Sequence, residues 1–316
     1  MDELGWIGGH AHDIVVPLLT TRPPVPSPLT RHRPEVTNST HGHIPGGVEA
    51  NWLNAKIFSH PERIDDLIAE YLVHLEASLD DKAARVWFVR FRGRHETDHL
   101  RLRLDTPTAE LFAHRAAAVG AWAEQLRRRG AASRVVFDTY YPETGRYGHG
   151  AAMAAAETVF VADSRVVATQ LRQLPAAVID PRALTALNMI HTVAGLLGGT
   201  AEAMRWFLTR SRASTAPAAD RAALQQAARL HRGLTPAGLP EFTGPPAAAW
   251  AERHQALAHY RGTLHPGVDL DAVLEALLHM HHNRARGIDR PDEAECRRVA
   301  RHTALGWVAR HSGGTP

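Results

Sequence analysis

The chain has 316 residues, enough for one large core or two smaller ones, and a formal net charge of only +3, which gives weak grounds for a nucleic-acid binder. One cysteine, Cys296, rules out an internal disulfide and a cysteine-based zinc cage. No stretch has the apolar length of a membrane span or the charged-then-apolar pattern of a signal peptide, so the chain reads as soluble and cytoplasmic.

In chain order, Ile14 to Leu19 is a short apolar run that reads as an edge strand. Thr21 to Gly47 is rich in Pro, Thr, His and Gly without periodicity and reads as an extended linker. Residues 1–50 are thus set apart from a domain over 51–316. Trp52–Phe58 is a predicted strand. Pro61 and Glu62 open a helix over 61–79, with Ile64, Leu67, Ile68, Tyr71, Leu72 and Leu75 at helical spacing. Strands follow at Arg85–Arg92 and His99–Asp105, then a helix over 108–129 ending at Gly130, then a strand at Arg134–Tyr141. This β-α-β-β-α-β order predicts an α+β fold with a split-βαβ, ferredoxin-like sheet in residues 51–150. Segments 151–175, 181–210, 219–232, 246–262, 269–285 and 291–311 all read as helical, so the 151–316 half is mostly helix packed on the sheet.

Three remote stretches carry chemistry. Lys56 and Lys82 are the only lysines, so arginine dominates the basic residues, a bias that a GC-rich genome explains for most of the surface. It does not explain ordered clusters. In His99-Leu100-Arg101-Leu102-Arg103, strand alternation places His99, Arg101 and Arg103 on one face and the leucines on the other. With Arg90 on the preceding strand, they form a cationic row suited to a carboxylate, the plain alternative being a polar face turned to water. In Tyr141-Pro142-Glu143-Thr144-Gly145-Arg146-Tyr147-Gly148, a tight turn leaves a strand end, and Glu143 either orients Arg146 into a cleft or forms an ordinary exposed pair with it. In His279-Met280-His281-His282-Asn283-Arg284, Leu274, Leu277, Leu278 and His281 follow the apolar stripe, grouping His279 with His282 and Asn283. No His-Glu-x-x-His pattern supports a metal, and a histidine acting as acid or base is the better functional reading beside that of plain surface histidines. Gly195, Gly198 and Gly199 lack the strand and lysine of a nucleotide loop. They fit a gap between helices or close helix packing.

Together these stretches resemble the glutamate-elimination (SpaB C-terminal, thiopeptide-type bacteriocin biosynthesis) domain of class I lanthipeptide dehydratases, from Trp52 to about His311. The carrying motifs are Trp52-Leu53, Trp87-Phe88-Val89-Arg90-Phe91, His99-Leu100-Arg101-Leu102-Arg103, Tyr141-Pro142-Glu143 with Arg146-Tyr147-Gly148, Val159-Phe160 with Asp163-Ser164, and His279-Met280 with Asn283-Arg284. The charged stretch from Arg92 to Asp98 and His149 depart from the family's usual turn and glycine. No large glutamylating domain accompanies the motifs, so the resemblance is to the stand-alone elimination half of a split dehydratase.

The resemblance implies a lyase that removes glutamate from glutamylated Ser or Thr of a ribosomally made precursor peptide, leaving dehydroalanine or dehydrobutyrine without a cofactor. A separate tRNA-dependent protein supplies the ester, nucleic acid and membrane play no direct part, and a homodimer is compatible. It implies catalytic roles for Arg101, Arg103, Glu143, Arg146 and His279, and substrate contacts from Arg90, His99, Tyr147, Asn283 and Arg284. Two rivals remain. One is a pyridine synthase that joins two dehydroalanines by aza-Diels–Alder cycloaddition and expels the leader peptide. The other is a non-catalytic subunit that binds the precursor.

Overall fold

Four short strand segments, strictly alternating in His99–Asp105 and almost wholly apolar in Val86–Phe91, build the sheet on which the rest of the molecule is arranged. The computed structural model describes residues 6–7, 10–11, 42–48, 50–79, 84–93, 96–174, 179–210, 221–232 and 244–311. The edge strand expected at Ile14–Leu19 and most of the 21–47 linker lie outside the described residues. In the N-terminal part, Trp6–Ile7 pairs with His10–Ala11, and His43 forms an isolated antiparallel bridge to Tyr140.

Strand β1 (Trp52–Phe58) is followed by α1 (residues 61–78), β2 (Val86–Phe91), β3 (His99–Asp105), α2 (Ala109–Arg128) and β4 (Arg134–Asp138). The sheet order is β2-β3-β1-β4 and every neighbouring pair is antiparallel, which is the expected split-βαβ arrangement. Leu53, Ala55, Ile57, Phe88, Leu100, Leu102 and Leu104 bury one face against Ile64, Leu67, Ile68 and Leu75 of α1 and Val119, Trp122 and Leu126 of α2. Both helices therefore form because the sequence repeats apolar residues at their pitch. Pro61 sits in the first turn of α1, and the Thr108 hydroxyl caps α2 by accepting from the Leu111 amide at 3.2 Å.

The chain continues through α3 (Thr144–Tyr147), α4 (Ala151–Gln173), α5 (Pro181–Leu197), α6 (Thr200–Thr209), α7 (Arg221–Arg232), α8 (Pro245–Thr263), α9 (Leu270–Arg286) and α10 (Arg290–His311). One helix was expected over 181–210. The structure breaks it at Gly198, whose φ of 90° ends α5 in the left-handed region that favours glycine. Gly195 has the packing role foreseen for it, since a Cβ there would sit 2.8 Å from Leu257 of α8. Cys296 is fully buried, and burial raises its thiol pKa to about 12.

The sheet and the helical half are joined along the outer edge of β2. An edge strand exposes unpaired backbone groups, and here helix side chains satisfy them. The Phe88 amide donates to Ser164 Oγ at 3.1 Å and its carbonyl accepts from Arg284 Nε at 3.0 Å. The Arg90 amide donates to Asn283 Oδ1 at 2.9 Å and its carbonyl accepts from Asn283 Nδ2 at 2.8 Å. Asp163-Ser164 and Asn283-Arg284 thus lie where α4 and α9 seal the sheet.

Candidate active site

The polar face of the sheet is not left to water. Register places Trp87 directly across from Arg103, Val89 across from Arg101, and Phe91 across from His99. Helices α4 and α9 pack against β2, and together with α3 they enclose a cavity of about 310 Å³ over that face. Arg101, Arg103, Glu143, Arg146, Tyr147, His279, Asn283 and Arg284 all line it, with Trp87, Tyr140, Met153 and Phe160 among its apolar walls. The three remote stretches converge. A second depression, of about 380 Å³ between α2 and β4, has only Glu124, Arg127 and Arg134 as charged lining, and Glu124 already pairs with Arg127 at 3.7 Å.

Arg103 occupies the deep end. It is 7 % exposed, and no carboxylate among the described residues forms an ion pair with it. Its guanidinium carbon lies 4.2 Å from the Trp87 ring centre and 4.8 Å from that of Tyr140. Nε and Nη1 are buried without a hydrogen-bond partner among the described residues. Burial, reinforced by the nearby Arg101 and Arg284, lowers its pKa from 12.5 to about 10. The Tyr140 hydroxyl donates to the buried Glu157 carboxylate at 2.8 Å, which fixes the ring against which the guanidinium rests.

The mouth is built differently. Arg101 lies over the Phe91 ring at 3.4 Å and its Nε donates to His99 Nε2 at 3.3 Å. His99 Nδ1 meets the Thr97 carbonyl at 2.8 Å, so the ring donates there and accepts from Arg101, and burial keeps it neutral. Glu143 and Arg146 form a half-exposed pair at 2.9 Å across one turn of α3. Gly148 ends that turn at φ 92°, where a Cβ would meet Ala152 at 2.8 Å. Tyr147 is buried beside them, edge-on to Phe160, its carbonyl accepting from the Tyr260 hydroxyl at 2.9 Å, and burial pushes its phenol up to about 12.

His279 is half-exposed on α9, with Nδ1 2.8 Å from Glu293 Oε2 of α10. Burial raises the Glu293 pKa, but bonds to His279 and Arg297 outweigh it and hold the carboxyl at about 2. A carboxylate only accepts, so Nδ1 carries a proton, and Nε2 is the ring nitrogen through which the imidazole can exchange a proton with a substrate.

The sequence model of the lantibiotic biosynthesis dehydratase C-terminal family matches residues 52–304. The chain belongs to this family. It is 30 % identical over 167 residues to the subtilin biosynthesis protein SpaB of Bacillus subtilis, a span of 52 % of this chain and 15 % of that relative. The tRNA-dependent lantibiotic dehydratase MibB of Microbispora sp. 107891 has a similar fold, with a TM-score of 0.70, 21 % identity, and coverage of 84 % of this chain and 29 % of MibB. The chain therefore spans less than a third of the length of either protein. The pyridine synthase TbtD of thiomuracin biosynthesis superposes with a TM-score of 0.55 at 15 % identity, covering 82 % of this chain and 99 % of TbtD.

Within this dehydratase-family domain, some site residues stand apart from their sequence-based expectation. Arg90 is among the residues that line the cavity, but its side chain belongs to the opposite sheet face from Arg101 and Arg103, because it is out of phase with them in the strand register. It reaches Asp65 of α1 at 2.5 Å and the Arg284 carbonyl at 2.9 Å. His99 does not line the cavity and acts on it only through Arg101. The Asn283 amide is committed to the Arg90 backbone. His282 points away from His279 and bonds Asp292 at 3.1 Å, near Cys296. These three donors lie close enough for a metal, yet Asp292 is already held by Arg182 and Arg286, whose charges oppose a further cation. Sequence reasoning missed Glu293, Glu157 and the Trp87–Tyr140 walls. Only their contacts across separate elements mark them.

Proposed function

We propose that this protein eliminates glutamate from glutamylated Ser or Thr of a ribosomally made precursor peptide, giving dehydroalanine or dehydrobutyrine. The observation that carries the reading is Arg103, a buried cation with no counter-ion among the described residues, in one cavity with Arg101, Arg146, Glu143 and His279. A desolvated guanidinium is costly unless an anion completes it. The acyl group of the substrate is that anion.

Chemistry fits the residues. The peptide Cα–H bond breaks, its electron pair forms the Cα=Cβ bond, and the Cβ–O ester bond breaks with its pair leaving on the glutamate α-carboxylate. Such a carboxylate has a conjugate acid near about 3.5 and departs readily, whereas hydroxide, from water of pKa about 15.7, does not. His279 Nε2 takes the proton, and Arg101 and Arg146 stabilise the enolate-like and carboxylate charge as they develop. Glu143 holds Arg146 in place. Atoms and electrons balance without a cofactor. A separate tRNA-dependent protein supplies the ester, and both act in the cytoplasm where the precursor is made.

The near-complete coverage of TbtD favours a second reading, cycloaddition of two dehydroalanines. Its substrate carries no carboxylate to neutralise Arg103. Incubating purified protein with a synthetic glutamylated peptide tests the choice by mass spectrometry. Loss of glutamate is the expected result. Release of a leader from a dehydroalanine peptide, with glutamylated peptide untouched, overturns it.

A further inference from the structure

The two edges of the sheet are treated differently. Helices α4 and α9 seal β2, whereas β4, at the other edge, pairs with β1 alone among the described residues. Backbone groups point alternately to the two sides of a strand, so one bond fixes the phase of the sheet. The Thr106 amide donates to the Asn51 carbonyl at 2.8 Å, which turns residue 51 toward β3 and therefore Asn54, Lys56 and Phe58 toward β4. Register sets these three opposite Asp138, Val136 and Arg134. The amides and carbonyls left on the outer side of β4 are those of Val135 and Phe137, and no described residue pairs with them.

The side chains of this edge do not suit water. Val136 and Phe137 are 36 % and 40 % exposed, and no charge or proline interrupts Val135-Val136-Phe137 to discourage pairing. Val135 and Phe137 line, with Gly120 and Ala123 of α2, the depression of about 380 Å³ beside β4. On the other face Asp138 is held by Lys56 at 2.7 Å, while the Arg134 guanidinium rests over the Phe58 ring at 4.1 Å and has no carboxylate paired to it among the described residues. The segment is complementary to itself. Antiparallel pairing of Arg134–Asp138 with the same segment of a second chain, about a twofold axis at Val136, sets Arg134 against the partner's Asp138 and Asp138 against the partner's Arg134. The same register puts Val135 opposite the partner's Phe137, in the hydrogen-bonded pairs that the outward peptide groups require. The partner's ring then lies beside Val135, over the depression. A register two residues away keeps the hydrogen-bond phase but loses both ion pairs. We propose that β4 is a dimerisation edge, at which two copies of this chain join their sheets through Arg134–Asp138 and each Phe137 fills the other's depression. The candidate active site lies over β2 and β3, away from this edge, so the dimer keeps both cavities whatever reaction they carry out.

Sedimentation velocity on the full chain from about 1 μM to about 200 μM tests the association, and a reversible monomer–dimer equilibrium is expected for a contact of this size. Arg134→Asp, which brings like charges together across the axis, and Phe137→Pro, which removes an outward amide and the ring, are each expected to leave a folded monomer. Val136→Cys reads the register directly. Its copy lies opposite with Cα atoms about 4.5 Å apart in a non-hydrogen-bonded pair, inside disulfide range. The one native cysteine, Cys296, is fully buried and does not compete. Mild oxidation is therefore expected to cross-link Val136→Cys and not Arg134→Cys, whose copy is about 13 Å away. A wild type that stays monomeric throughout overturns the proposal. So does a dimer that both Arg134→Asp and Phe137→Pro leave intact, or one that Arg134→Cys cross-links as readily as Val136→Cys. Slowed hydrogen exchange at the Val135 and Phe137 amides of a monomer, seen only with an added synthetic Ser/Thr-rich peptide, would give the edge to a peptide strand instead.

Discussion

Replacing Arg103 by Met is expected to abolish turnover and to make the protein more stable. A guanidinium whose pKa is about 10 instead of 12.5 carries a charge penalty of about 3 kcal/mol in the fold. Because the folded value is the lower one, that penalty is fully present below about pH 10 and is relieved only as the pH climbs toward 12.5. The contacts with Trp87 and Tyr140 return part of it, about 0.5–2 kcal/mol each. Methionine fills a similar volume and replaces them with sulfur–aromatic contacts of about 0.3–1.5 kcal/mol. The net expectation is a gain of about 1–2 kcal/mol, which for a chain of this size raises Tm by roughly 2–3 °C. Chemical denaturation at pH 7.5, with and without glutarate, measures it. Glutarate at a hundred times its Kd adds about 2.7 kcal/mol to the wild type and nothing to the variant. A variant that is less stable by 1 kcal/mol or more, or one that glutarate stabilises as well as the wild type, would refute the uncompensated-cation account.

Other expectations follow from the same geometry. Glu293→Gln leaves a hydrogen-bond acceptor for His279 Nδ1 but removes the charge facing the ring as it gains a proton, so kcat should fall about tenfold to a hundredfold with KM little changed. Glu293 also supports the fold. Its carboxyl lies at about 2 against an ordinary 4.5, so its contribution, at most about 3 kcal/mol, is complete above pH 4.5 and lost as the pH falls toward 2. Urea titrations across that window should show a shallower acid dependence in Glu293→Gln than in the wild type. Asn283→Ala strips both hydrogen bonds from the Arg90 backbone and leaves a buried amide and carbonyl unpaired, a loss of about 2–4 kcal/mol readable as a lower denaturation midpoint. Hydrogen exchange should quicken first at the β2 edge.

Patterns acting within one element were legible in the chain. The two-residue alternation of His99–Asp105, the helical repeats of α1 and α2, and the β-α-β-β-α-β order led to the sheet and its all-antiparallel pairing. They also assigned Arg101 and Arg103 to one face. The same period puts Arg90 out of phase with that face, and grouping it with the row followed from its nearness in the chain, not from its register. Whether the face met water or a cavity was not a local property. It depended on α4 and α9 docking against β2, through bonds such as Arg90 to Asn283 across 193 residues. A hydrophobic stripe says that a helix buries a side without saying against what, so His281 and His279 on one helix parted into core and mouth only in the folded chain. The residue types for holding an anion and moving a proton are therefore written in the sequence. That Arg103 is buried with no counter-ion among the described residues, and that Glu293 faces His279, was decided by tertiary packing, because the energy of a charge depends on what surrounds it and those surroundings come from elements far apart in the chain.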